Sequence, residues 1–130
     1  MFSHISVGVR DLQKSLKLYD PIMACLGYPR LFGDEEEGFM AYGPGDCFFI
    51  INTPLDPERG PVTFNNGGHI CFKADSPSAV TQFYETALSL GANGGGTPGI
   101  RSEYAADYYA AFIFDYDGNK LEVLARETSK

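Results

Sequence analysis

The sequence predicts an α+β protein made of two βαβββ modules, sharing one curved mixed β-sheet with the helices outside and a concave cleft inside. Three observations lead there. A strand followed by an amphipathic helix occurs twice, at His4–Gly27 and again at His69–Gly91. The two copies keep register, since His4 and His69 are 65 positions apart, Tyr19 and Tyr84 also 65, and Gly27 and Gly91 64. Finally, 18 aromatic residues with 15 Gly suit a sheet-rich fold with tight turns.

The elements follow in order. His4–Val9 (HISVGV) alternates, with Ile5, Val7 and Val9 on one face and His4, Ser6 and Gly8 on the other, as in a half-buried strand. Asp11 stands at an N-cap position before a stripe of Leu12, Leu16, Tyr19, Met23 and Leu26 that ends at Gly27; Pro21, inside it, should kink or break the helix. Strand-like runs follow at Arg30–Phe32, Phe39–Tyr42 and Cys47–Asn52. After the Pro- and Gly-rich stretch Thr53–Gly68 the order restarts. His69–Ala74 alternates, Ser76-Pro77 caps a stripe of Val80, Phe83, Ala87 and Leu90, and Asn93–Asp107 reads as a loop. Strands at Tyr108–Phe114 and Lys120–Ala125, joined by the turn Asp117-Gly118-Asn119, complete the chain. The 130 residues therefore read as one domain, with internal modules 1–53 and 67–127 joined by the Pro/Gly-rich linker.

Composition narrows the function. With 44% hydrophobic and 21% charged residues, the chain is neither disordered nor fibrous. A net charge of -7, without a Lys/Arg cluster, argues against nucleic acid and anionic membrane as partners. No apolar run suits a membrane helix, and Met1–Arg10 lacks a basic-then-apolar leader pattern, so a cytoplasmic location is expected. Cys25, Cys47 and Cys71 form no Cys-x-x-Cys spacing and read as reduced thiols.

Strand alternation places His4, His69 and Glu122 on the cleft side, Glu122 because Leu121 and Val123 take the helix side. Two imidazoles and a carboxylate can hold one face of a divalent metal and leave the other positions open. A lone histidine is more often structural, but these are the chain's only two, and they stand at equivalent repeat positions. Ser6, Gly8 and Ala111 are small beside them and could leave room for a ligand. The second half is about nine residues longer than the first, which suggests a loop over the cleft carrying Arg101 as an anion clamp and Tyr104, Tyr108 and Tyr109 as phenolic donors, one of the three being the candidate catalytic proton-transfer group; a surface loop with rim tyrosines is the other reading. Gly94-Gly95-Gly96 precedes Pro98 rather than a helix and is no phosphate loop. Asp34–Glu37 reads as a solvated turn, and Cys71, on the same strand face as His69, as a buried inert thiol rather than a ligand or reactive one.

The segments HISVGVRDLQKSLKLYDPIMACLGY, GGHICFKADSPSAVTQFYETALSLGA and YYAAFIFDYDGNKLEVL resemble the vicinal oxygen chelate superfamily, which includes glyoxalases, extradiol dioxygenases and fosfomycin or bleomycin resistance proteins. The resemblance spans nearly the whole chain. It implies metal ligands at His4, His69 and Glu122, a divalent ion such as Zn, Fe, Mn or Ni, and a homodimer. Two departures stand out. The glyoxalases' fourth ligand, a carboxylate on the last strand of the first half, is replaced by the run Phe48-Phe49-Ile50-Ile51, and the usual Pro of the D-P-D-G-N turn is Tyr116. The expected function is a glyoxalase-like, metal-dependent enzyme, of lyase/isomerase or extradiol dioxygenase type, that binds a small substrate through adjacent oxygens. The alternative is a non-catalytic drug- or antibiotic-sequestering protein of the bleomycin resistance kind.

Overall fold

The computed structural model describes residues 1–126. Strand β1 (His4–Gly8), helix α1 (Leu12–Cys25) and strands β2 (Arg30–Asp34), β3 (Phe39–Tyr42) and β4 (Phe48–Asn52) form the first module. Strand β5 (Ile70–Lys73), helix α2 (Pro77–Ser89) and strands β6 (Asn93–Ile100), β7 (Tyr108–Phe114) and β8 (Lys120–Arg126) form the second. The eight strands are hydrogen-bonded as two four-stranded mixed sheets, β1-β4-β3-β2 and β5-β8-β7-β6. In each, the first strand runs parallel to the last and the other pairs are antiparallel, so the repeat seen in the sequence is a repeat of topology.

Both helices begin as their caps dictate. Asp11 accepts from the Lys14 N–H and Ser76 from the Ala79 N–H, each satisfying a donor that has no partner within the helix. Helix α1 runs unbroken through Pro21. Lys17, whose carbonyl loses its partner there, is exposed and water can satisfy it. The helix closes at Gly27, whose φ of 75° is one that a side-chain-bearing residue adopts only at a cost. Leu16, Tyr19, Ile22 and Met23 of α1 and Val80, Phe83 and Ala87 of α2 meet Phe49, Ile51, Phe72, Ile113, Leu121 and Val123 of the sheets in one core.

The stretch 93–107 is not all loop, because β6 occupies Asn93–Ile100. Its glycines carry no side chains and so no alternation, which hides the strand from pattern reading. Close approach explains the composition. A Cβ on Gly95 would stand 2.9 Å from the Phe114 ring and 3.2 Å from Phe112 Cβ.

The β7–β8 turn clasps the modules together. Asp117 Oδ1 accepts from the Arg10 backbone N–H at 3.0 Å and from its Nη1 at 3.1 Å. Asn119 Nδ2 donates to the Gly8 carbonyl at 2.9 Å, and the buried Tyr19 hydroxyl donates to Asp115 Oδ2 at 2.6 Å. Tyr116, where the resemblance calls for Pro, donates its hydroxyl to the Leu90 carbonyl and so ties the turn to the end of α2. No buried side-chain N or O among the described residues lacks a partner. No helix among them is long and apolar enough to cross a membrane.

A second polar contact supports an acid-stability prediction. Arg30 grips Asp20 through Nε at 2.9 Å and Nη2 at 2.7 Å, and the Tyr42 hydroxyl donates to the same carboxylate at 2.6 Å. Burial works to raise the Asp20 pKa, but the hydrogen bonds from Arg30 and Tyr42 outweigh it and hold the carboxyl below the ordinary aspartate range. A depressed folded-state pKa stabilises above the unfolded value and is lost as pH falls through the folded one. The wild type should therefore lose more of its urea midpoint between pH 7 and pH 3 than Asp20→Asn does; equal losses would remove Asp20 as an acid-sensitive group.

Candidate metal centre and binding cleft

The register of β5 against β8 builds the site. Cys71 stands opposite Glu122, and His69, two residues earlier, lies on the same face. His69 Nε2 is 2.9 Å from Glu122 Oε1; the carboxylate side chain is only 4% exposed, the imidazole 42%. The Tyr108 hydroxyl donates to Glu122 Oε2 at 2.6 Å, so both oxygens of this buried carboxylate are engaged. Burial, then the hydrogen bond to Glu122, push the Tyr108 pKa up, which keeps its proton in place at neutral pH. Cys71 is exposed rather than buried, yet desolvation of its thiol and the Glu122 charge push it up to about 12, so it stays protonated and a poor nucleophile.

His4 does not join this pair within the chain. It is exposed on β1, stacked on Phe48 with ring centroids 5.0 Å apart, and its Nδ1 is 3.0 Å from Ser3 Oγ. Phe48 in turn meets Phe32, which meets Phe39, at 5.2 and 6.2 Å. Among the described residues no group of three or more His, Cys, Asp or Glu is placed to hold a metal ion. The repeat explains the asymmetry. Ser6 opposite Ile50 matches Cys71 opposite Glu122, so the first module carries Ile50 where the second carries its carboxylate.

His69 and Glu122 nonetheless suit a divalent ion as a pair. An imidazole nitrogen and a carboxylate oxygen are ordinary ligands for such an ion, and the two side chains that would hold it lie 2.9 Å apart here.

The other expected residues divide. Tyr104 is 61% exposed and packs on Tyr108 at 5.1 Å between centroids. Tyr109 is not in the cleft, since successive strand residues face opposite ways, and its hydroxyl lies 3.1 Å from Thr81 Oγ1 on α2. Ala111 is likewise corrected: it stands opposite Val123, is fully buried and packs in the core rather than beside the site. The Arg101 guanidinium donates to the carbonyls of Gly99 and Thr97 and sits 5.7 Å from the Phe112 ring centroid. Sequence reasoning missed Phe112 and Lys120. Phe112 pairs with Glu122, its centroid 6.1 Å from that of His69, and Lys120 Nζ is 5.0 Å from the same ring. The signal was available, because Lys120 precedes Glu122 by two and must share its face.

Two βαβββ modules, each with its own four-stranded mixed sheet and the second with a His/Glu pair on its open face, define a protein of the vicinal oxygen chelate class. A glyoxalase/bleomycin resistance protein from Albidiferax ferrireducens T118 is 34% identical over 97% of this chain and 98% of its own, with a TM-score of 0.84. The chain belongs to the glyoxalase/bleomycin resistance protein family of the vicinal oxygen chelate superfamily. More distant structures share the fold. A glyoxalase/bleomycin resistance protein/dioxygenase family enzyme from Burkholderia phytofirmans PsJN is 17% identical, covering 95% of this chain and 97% of its own, with a TM-score of 0.71. A mutant of the fosfomycin resistance protein FosX from Listeria monocytogenes, complexed with Mn(II) and 1S,2S-dihydroxypropylphosphonic acid, is also 17% identical, covering 95% of this chain and 88% of its own, with a TM-score of 0.65. No family model matches the chain, and no curated protein does.

Proposed function

We propose that this protein is a glyoxalase-like, metal-dependent enzyme of the cytoplasm, acting as a homodimer on a small substrate that presents adjacent oxygens. The observation that carries the reading is the His69–Glu122 pair at 2.9 Å, its second carboxylate oxygen held by Tyr108. His69 and Glu122 of one chain, with His4 of a second copy, hold the ion; Mn(II) bound by a protein of the same fold supports a divalent metal. When bound, the ion supplies Lewis acidity to the substrate oxygens. Tyr108 fixes the orientation of Glu122 by donating its single O–H to Oε2 and, retaining that proton at neutral pH, is not poised to act as a base. Exposed His4 on its aromatic bed is available to a second molecule, whereas buried Glu122 is not free to move.

A subunit-mixing experiment tests this directly. His4→Ala and Glu122→Gln homodimers should each bind almost no Mn(II). After subunit exchange, a heterodimer has one site with both lesions and one with neither, so about one ion per heterodimer should return. Failure to recover metal on mixing, with exchange verified by mass, would rule out the shared site.

The aromatic cluster of Phe32, Phe39 and Phe48 on the first module's open face favours a second reading, a ligand-sequestering protein of the bleomycin resistance kind. Ligand binding without turnover of methylglyoxal plus glutathione, or of catechols with Fe(II), would select it.

A further inference from the structure

Strands β1 and β5 each pair on one side only, and between their open edges lies a pocket of about 320 Å³. Ser6, Thr63, Asn65, His69 and Lys120 line it, and every one of these side chains can donate a hydrogen bond. No Asp or Glu lines it, although the chain has 17 acidic residues and a net charge of -7. The carboxylates nearby are already engaged: Glu122 by His69 and Tyr108, Asp117 by Arg10, and Asp115 by Tyr19 and the turn amides. Among the described residues neither Lys120 nor Arg101 forms an ion pair, and both cations rest on Phe112. A pocket lined by donors, with an ammonium free of any ion pair and no carboxylate in its wall, is complementary to an oxyanion.

We propose that this pocket binds the anionic group of the substrate, a carboxylate or a phosphonate, with Lys120 as its charge partner and Ser6, Thr63 and Asn65 as neutral donors. The assignment of that ligand as substrate rests on the metal-enzyme reading, because His69 forms both a wall of this pocket and half of the His69–Glu122 pair. The substrate class is then a small organic acid, its charged end in the pocket and its adjacent oxygens toward His69 and Glu122. The binding itself needs no metal. The overall negative field of the protein repels anions, so saturable uptake must come from a local arrangement of donors.

The test is an NMR titration of the full chain, freed of metal by a chelator and held at constant ionic strength, with methylphosphonate, acetate and neutral 1,2-propanediol. Saturable shifts of the Ser6, Gly8 and Lys120 amides are expected with an anion and not with the diol; the tighter of the two anions distinguishes a tetrahedral from a planar group. Lys120→Gln should weaken binding about tenfold or more, Lys120→Arg should largely retain it, and Asn65→Asp, on an exposed loop, should abolish it. Absence of saturable binding by either anion, or undiminished affinity in both Lys120→Gln and Asn65→Asp, would overturn the proposal. Mn(II) affinity measured separately by calorimetry reports on the metal reading, so the two can fail independently.

Discussion

Replacing Glu122 by Gln should lower Mn(II) and Zn(II) affinity by more than about a hundredfold, because even an outer partner of a metal ligand is worth about 10- to 100-fold. Gln is the informative choice. It retains the shape of the side chain and can still accept from the Tyr108 hydroxyl, so the donor packed against it keeps a partner. The carboxylate is buried, and its removal also ends the need to offset a charge there, so thermal stability should change little. Calorimetric titration of metal-free protein checks the outcome. Undiminished affinity in Glu122→Gln would exclude this carboxylate as a ligand, and His69 would have to bind without it.

Asp115→Ala should be the most damaging single change to stability, at about 3 to 5 kcal/mol. Its Oδ1 accepts the backbone N–H groups of Asp117 and Asn119, and its Oδ2 accepts the Tyr19 hydroxyl and Asn119 Nδ2. Alanine leaves the Tyr19 hydroxyl without its partner in a fully buried position, and releases the turn whose Asp117 and Asn119 hold Arg10 and Gly8 of the other module. Those losses far exceed what an exposed pair contributes, about 0 to 1 kcal/mol, as for Arg126–Asp107. Asp115→Asn keeps the volume and should cost less. Urea unfolding at pH 7 measures both, and a loss below about 1 kcal/mol in the alanine variant would show that the turn is not what joins the modules.

Much of this architecture is legible in the sequence because it rests on local, periodic signals. The caps Asp11 and Ser76, the helical stripes, the alternation of HISVGV and the 65-residue offset each depend on residues near one another in the chain. Where side chains vanish, so does the signal, which is why the glycine-rich β6 reads as a loop. Parity is equally local, and applied strictly it separates Tyr108 from Tyr109 and places Lys120 beside Glu122.

The two βαβββ modules, the facing of His69 and Glu122 on the second, and the want of a carboxylate on the first can all be read along the chain. Which of these groups meet depends on the pairing of strands far apart in the chain. The β5–β8 register brings His69 to Glu122, and the turn at Asp115–Asn119 locks the modules through Arg10 and Gly8. The same arrangement leaves His4 on Phe48, apart from that pair. The physical reason is that face is a property of a strand and its neighbours in sequence, whereas distance between strands of different modules is set by long-range pairing and by side chains that no periodicity records.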